Sequence, residues 1–168
     1  LSRTMTTLMY NTERLTLLAG GTTAYHYSTN PRLRCYSWGL FEDKNSNTIF
    51  LAVNTHLNLY EQATAYPLLQ ATELIDFCRK AEEKYACPVF ILGDFNSPRN
   101  TNENHCAVYD YISLFYTDTL TLAETKSQGN DKSVHSPTND YIFCSGNEKI
   151  VSFNLLSQPQ LNTLSDHY

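Results

Sequence analysis

Residues 88–92, Pro-Val-Phe-Ile-Leu, run directly into Gly93, Asp94, Phe95 and Asn96, and this junction limits the possible folds more than any other feature. An unbroken apolar run of strand length, set between a helical pattern and a turn, reads as a buried strand. A buried strand requires a sheet around it and cover over that sheet. Period-2 geometry then points Asp94 and Asn96 the same way and turns Phe95 inward. An acidic oxygen beside an amide, fixed on a rigid strand end, suits holding a water or a metal against a polarised ester. Two more polar clusters close apolar segments in the same manner, Asn54-Thr55-His56-Leu57 and Ser165-Asp166-His167.

The remaining pattern supplies the neighbours of that strand. Residues 6–10 and 15–19 read as two short strands around a turn at 11–14, with Gly20-Gly21 ending the pattern. Residues 35–43 alternate through Tyr36, Trp38 and Leu40. After the turn Lys44-Asn45-Ser46-Asn47 a return strand covers 48–54, so the pair reads as a hairpin. Between 62 and 85 the period changes. Leu68, Ala71, Leu74, Ile75 and Cys78 recur at steps of three and four, which gives an amphipathic helix with Pro67 near its first turn. A second helix is expected around 106–115, a long polar loop over 125–138, and strands at 140–144 and 150–155. Hairpins at the front and back with a strand–helix–strand unit between them imply an α/β or α+β architecture, sheets covered by helices.

Composition narrows the class. A chain of 168 residues allows one domain with a real core, and 42% hydrophobic with 17% charged residues is ordinary for a globular protein. A net charge of -5 provides no global basic footprint for nucleic acid. The five cysteines, Cys35, Cys78, Cys87, Cys106 and Cys144, are scattered without C-x-x-C spacing, so buried free thiols are expected rather than disulfides or a zinc site. No apolar stretch approaches the ~20 residues that cross a bilayer.

Each polar cluster alone has an ordinary explanation. His56 could cap the loop that follows it, Asp140 could be a turn residue, Asp166-His167 could be a surface pair, and Gly93 to Asn96 could be an Asx turn. Their co-occurrence in this order carries more. N-T-H-L at 54–57, G-D-F-N at 93–96, an Asp-Tyr-Ile strand from Asp140 and a late S-D-H at 165–167, with Arg34-x-x-x-Trp38 ahead of them, resemble the endonuclease/exonuclease/phosphatase (DNase I-like) superfamily. The likeness extends from about residue 6 to residue 168.

The resemblance implies an α/β sandwich of two mixed or antiparallel sheets flanked by helices, with residues 1–168 forming a single partial domain truncated at both ends. It implies hydrolysis of a phosphate mono- or diester by direct attack of water. Asp94 would accept a proton from, or orient, the water, and Asn96 would fix that water or a phosphate oxygen. His167 would act as acid/base or as a donor to a phosphate oxygen, with Asp140 holding its other ring nitrogen. His56 would donate to a non-bridging oxygen. Asp166 would ligate Mg2+ or Mn2+, which suit carboxylate and amide oxygens. The family's metal-binding Asn and Glu would precede residue 1, because the strand at 5–10 resembles the one that follows that Glu, and Glu13, in a turn, does not replace it. The substrate would be a nucleic acid, nucleotide, inositol phosphate or phospholipid head group, and the protein a monomer. The loops 99–105 and 125–138, with Lys126, Lys132 and His135, would stand where substrate is selected. No Ser or Cys sits in a nucleophile motif such as G-x-S-x-G. A non-catalytic interaction domain on the same scaffold is the alternative.

Overall fold

The computed structural model describes residues 6–30, 34–59, 65–98, 107–127, 139–146 and 148–154. Eight strands and three helices follow in the order β1 (Leu15–Ala24), β2 (Cys35–Asp43), β3 (Ile49–His56), α1 (Tyr66–Tyr85), β4 (Val89–Asp94), α2 (Ala107–Ser113), β5 (Thr117–Asp118), α3 (Thr119–Leu122), β6 (Thr125–Ser127), β7 (Asp140–Cys144) and β8 (Ser152–Asn154). Six strands form one mixed sheet in the order β1-β2-β3-β4-β7-β5, and β6 with β8 forms a separate two-stranded sheet. Only β3 and β4 run parallel within the large sheet. They are joined by α1, the crossover that a parallel pair requires.

One face of the large sheet is buried. Leu51 and Val53 of β3, Val89 and Ile91 of β4, and Tyr141 and Phe143 of β7 form one core with Ala71, Leu74, Ile75 and Cys78 of α1 and Val108 and Ile112 of α2. Ala71, Leu74, Ile75 and Cys78 thus lie where the sequence places them, whereas Leu68, expected on the same stripe, is 40% exposed and Gln70 is buried in that turn. Pro67 occupies the first turn of α1. At the far end of the sheet, Glu82 fastens these layers together. It accepts from Tyr116 Oη at 3.3 Å and from Ser145 Oγ at 2.9 Å, and Ser145 Oγ in turn accepts from the Val89 N–H at 2.9 Å.

The opposite face carries an aromatic row, with ring centroids 4.9 Å apart for Tyr10–Phe41, 5.6 Å for Phe41–Phe50 and 6.0 Å for Phe50–Phe90. Residues 6–10 cross this face. Buried Thr6 hydrogen-bonds Cys35 and Ser37, and Asn54 Nδ2 donates to the Thr7 carbonyl. These residues are therefore not the hairpin partner of β1, as the sequence suggests. The turn at 11–14 forms, but β1 pairs with β2, tied at its start by Arg14 to Asp43 at 2.7 Å. Nor do Gly20-Gly21 end the strand. A Cβ on Gly20 would come within 3.0 Å of the Trp38 carbonyl oxygen, and one on Gly21 within 3.3 Å of Trp38 Nε1. The pair marks a close approach to β2 rather than a break.

The predicted loop at 125–138 also needs correction at its start, since Thr125–Ser127 is β6. Its partner is β8, far along the chain, so local polarity alone could not reveal it. The expected strand at 150–155 is realised as β8, Ser152–Asn154.

Candidate active site

Strand direction assembles the site. Parallel β3 and β4 bring their C-terminal ends to one rim, and antiparallel β7 brings its N-terminal end to the same rim. The register makes this specific: His56 lies beside Asp94, and Asp94 lies beside Asp140. Neighbouring strands stand ~4.8 Å apart, and side chains at paired positions leave the same face. Three of the singled-out residues, distant in sequence, therefore stand in a row. His56 Nε2 lies 3.3 Å from Asp94 Oδ2, both side chains being mostly buried at 22% and 15% exposure. Asp140 is exposed at the start of β7. Asp166 and His167 lie outside the described residues, as do the loop 99–105, Lys132 and His135. Lys126 is on β6, exposed.

The Gly93–Asn96 segment reaches its geometry differently from a continued strand. β4 ends at Asp94, Asn96 adopts a left-handed φ of 48°, and the Asn96 N–H donates to Asp94 Oδ1 at 2.9 Å. This is the Asx turn that the sequence also allows. Period 2 therefore does not extend to Asn96, although Phe95 is fully buried as expected. Asn96 Nδ2 donates to the Leu57 carbonyl oxygen at 2.8 Å, which ties the turn after β4 to the residue after His56. A ligand contact from Asn96 would therefore use its Oδ1 or exchange that bond. One Asp94 oxygen holds the turn and the other faces His56, so a single carboxylate joins both parts of the rim.

Gly93 is required by the approach of β3. Its φ is +135°, and a Cβ there would lie 2.0 Å from the Thr55 carbonyl oxygen. The G-D-F-N pattern thus has a steric component as well as a chemical one.

Further supports were not legible as such in the sequence. Arg34, just ahead of β2, donates from Nη1 to the Leu57 carbonyl oxygen at 2.7 Å. Burial pulls its guanidinium below the ordinary arginine range, and the negative Asp94 pulls it back up. Arg34 therefore places positive charge behind the rim. The Leu57 N–H continues the ladder to the Asp94 carbonyl at 3.0 Å. Asn58 and Gln70, both fully buried, form a closed amide pair: Asn58 N–H to Gln70 Oε1 at 2.8 Å, and Gln70 Nε2 to Asn58 Oδ1 at 2.7 Å. A glutamine among Pro67, Ala71 and Leu74 on the buried stripe of α1 was the available signal, because a buried amide needs a partner.

Solved structures share this architecture. An endonuclease/exonuclease/phosphatase from Bacteroides vulgatus superposes with a TM-score of 0.72 at 21% identity, over 94% of this chain and 65% of that one. The chain has the endonuclease/exonuclease/phosphatase fold. A mannosyl-6-phosphatase of Bacteroides thetaiotaomicron with that fold gives a TM-score of 0.68 at 19% identity, over 89% of this chain and 60% of its own. The human Nocturnin catalytic domain, solved with a bound sulfate, gives 0.59 at 21% identity, over 80% and 49%. The chain thus spans less than two thirds of each of these relatives with the endonuclease/exonuclease/phosphatase fold. No family model and no curated protein matches the sequence.

The motif resemblance in the sequence implies a divalent ion. Among the described residues, no three His, Cys, Asp or Glu side chains converge closely enough to hold one. His56, Asp94 and Asp140 form a row along the rim and do not by themselves make a metal site.

Proposed function

We propose that the protein hydrolyses a phosphate ester by direct attack of water at the rim formed by His56, Asp94 and Asp140. The alignment of these three residues across adjacent strands is the observation that carries the reading. A carboxylate beside an imidazole fixes the ring's orientation and can hold or move one proton. Asp94 would orient the attacking water, and the His56 N–H would shift between the carboxylate and a non-bridging phosphoryl oxygen as charge develops there. Arg34 would keep the rim rigid and add positive potential for an anion. Asp140 would set the orientation of a second imidazole, proposed to be His167. Mg2+ or Mn2+ is proposed as the cofactor, with Asp166 as a ligand, and when bound would neutralise charge on the phosphoryl oxygens. One neighbour's description as a mannosyl-6-phosphatase and another's bound sulfate, an anion shaped like phosphate, support a phosphate-ester substrate.

The test is hydrolysis of bis-p-nitrophenyl phosphate by the full-length protein, with and without magnesium, beside Asp94→Ala and His167→Ala. Metal-dependent turnover is expected in wild type, with a loss of about 100-fold or more in each variant. No turnover in wild type, or turnover equal to wild type in both variants, would sink the catalytic reading and leave the interaction-domain alternative.

A further inference from the structure

Tyr66, Gln70 and Glu73 follow one another along α1 at steps of four and three residues, so they share one stripe of the helix. All three are turned to a single loop, residues 25–30. Glu73 accepts from the backbone N–H of His26 at 3.0 Å and of Tyr27 at 3.4 Å. Gln70 Nε2 donates to the Tyr27 carbonyl oxygen at 2.6 Å as well as to Asn58. The Tyr66 and Tyr27 rings meet with centroids 6.1 Å apart and planes at 55°. Asn58 completes the tie by donating to Thr29 Oγ1 at 2.6 Å.

This loop is fastened to the rim. Asn58 stands two residues beyond His56, and its neighbour Leu57 bonds the backbone of Asp94. The crossover also fixes which end of α1 is involved: the chain leaves β3 at the rim and returns to the foot of parallel β4, so α1 begins near the rim, with Tyr66 as its first residue. Ordering a surface loop costs roughly 1–2 kcal/mol of entropy per residue, and a fully buried amide pair offsets that cost here. Tyr25 of this loop is buried in the core, but the two aromatic side chains that follow it are not. Tyr27 remains 42% exposed, and His26 is exposed beside it with their rings edge-on at 4.9 Å. A rigid loop that presents an open ring beside an anion site is preorganised for a flat or ring-shaped group.

We propose that Tyr27 and Tyr66 form a stacking face for the ring of the group esterified to the phosphate, a pyranose or a nucleobase. The face would select ring-bearing phosphate esters over acyclic ones. Tyrosine offers its π-face to sugar C–H bonds or to a base, and either contact strengthens binding without taking part in bond breaking. The inference rests on the phosphoesterase reading above.

The experiment measures phosphate release from adenosine monophosphate, mannose 6-phosphate and glycerol 3-phosphate, with magnesium, by wild type, Tyr27→Ala, Tyr66→Ala and Tyr27→Phe. Each alanine variant is expected to lose about tenfold in kcat/KM on at least one ring substrate, mainly through KM. Glycerol 3-phosphate should change less than about twofold, and Tyr27→Phe should keep the wild-type preference. Which ring substrate responds identifies base or sugar. Equal losses on all three substrates, or no loss on either ring substrate, would overturn the stacking face. If wild type hydrolyses none of the three, these monoesters are not its substrates, and turnover of bis-p-nitrophenyl phosphate separately decides the phosphoesterase reading. Saturation-transfer NMR with the same two ring compounds then decides the face: transfer to ring protons that disappears in Tyr27→Ala supports it, and no such transfer overturns it.

Discussion

At the scale of single residues, the site depends on groups whose roles differ sharply. Gly93 is structural. With φ at +135° and a virtual Cβ 2.0 Å from the Thr55 oxygen, any side chain must push β3 away. Gly93→Ala is expected to destabilise the fold by about 3 kcal/mol or more, measured as a lowered urea midpoint. His56 is different, because it is partly exposed at a strand end and its ring contacts the Asp94 carboxylate. His56→Ala should lower phosphoesterase turnover by about 100-fold while moving the urea midpoint by less than about 1 kcal/mol. A large stability loss with unchanged turnover would reverse that assignment. His56, Asp94 and Asn96 stood out in the sequence because their clusters close apolar segments, and Asp140 because it opens one. Arg34 entered the sequence reading only as part of Arg34-x-x-x-Trp38. Its role was not visible, because its contact is a single bond to the carbonyl of Leu57, a residue with no charge to advertise the pairing.

At the scale of elements, two attachments can be tested. Gln70 fastens both the rim loop after β3 and the loop 25–30 to α1, so Gln70→Ala leaves the Asn58 amide and the Tyr27 carbonyl without their partner. A loss of about 2–3 kcal/mol is expected, with hydrogen exchange accelerated at residues 27–30 and 57–59 before the rest of the chain. The β1–β2 pair has an electrostatic clasp. The Arg14 guanidinium, helped by the Asn45 and Ser46 N–H groups, holds the Asp43 carboxyl below the usual carboxylate range. The folded form thus binds the proton less well than the unfolded form. Its stabilising effect is complete above about pH 4 and fades as pH falls through the lower folded value. Asp43→Asn should flatten the acid limb of a stability–pH curve below about pH 4 and leave its neutral shape unchanged. The sequence made most elements legible, because α1 and β2 carry a clean local period and β3, β4 and β7 are short apolar runs bounded by polar turns. It misplaced β1's partner and left β6 unseen, since those pairings depend on strands elsewhere in the chain.

At the scale of the whole molecule, one core joins the buried sheet face to α1 and α2, and Cys78 and Cys87 belong to it. Cys35, Cys78, Cys87 and Cys144 are buried and free, and burial pushes the Cys78, Cys87 and Cys144 thiols above their ordinary range. These thiols should react with a disulfide reagent in the native protein only at the rate of global opening, and promptly in denaturant. Fast native labelling of Cys78 would contradict the described core. Among the described residues no helix is long and apolar enough to cross a membrane. The sequence by itself determined the helix, the central strands and the polar residues that close them, because periodicity and turn chemistry act over a few neighbouring residues. Tertiary structure alone decided that β3 and β4 run parallel with β7 reversed beside them. That direction places His56, Asp94 and Asp140 on one rim, and buried amide bonds fasten a tyrosine-bearing loop beside it. Strand direction and register are settled by packing between distant segments, and no local stretch of sequence records them.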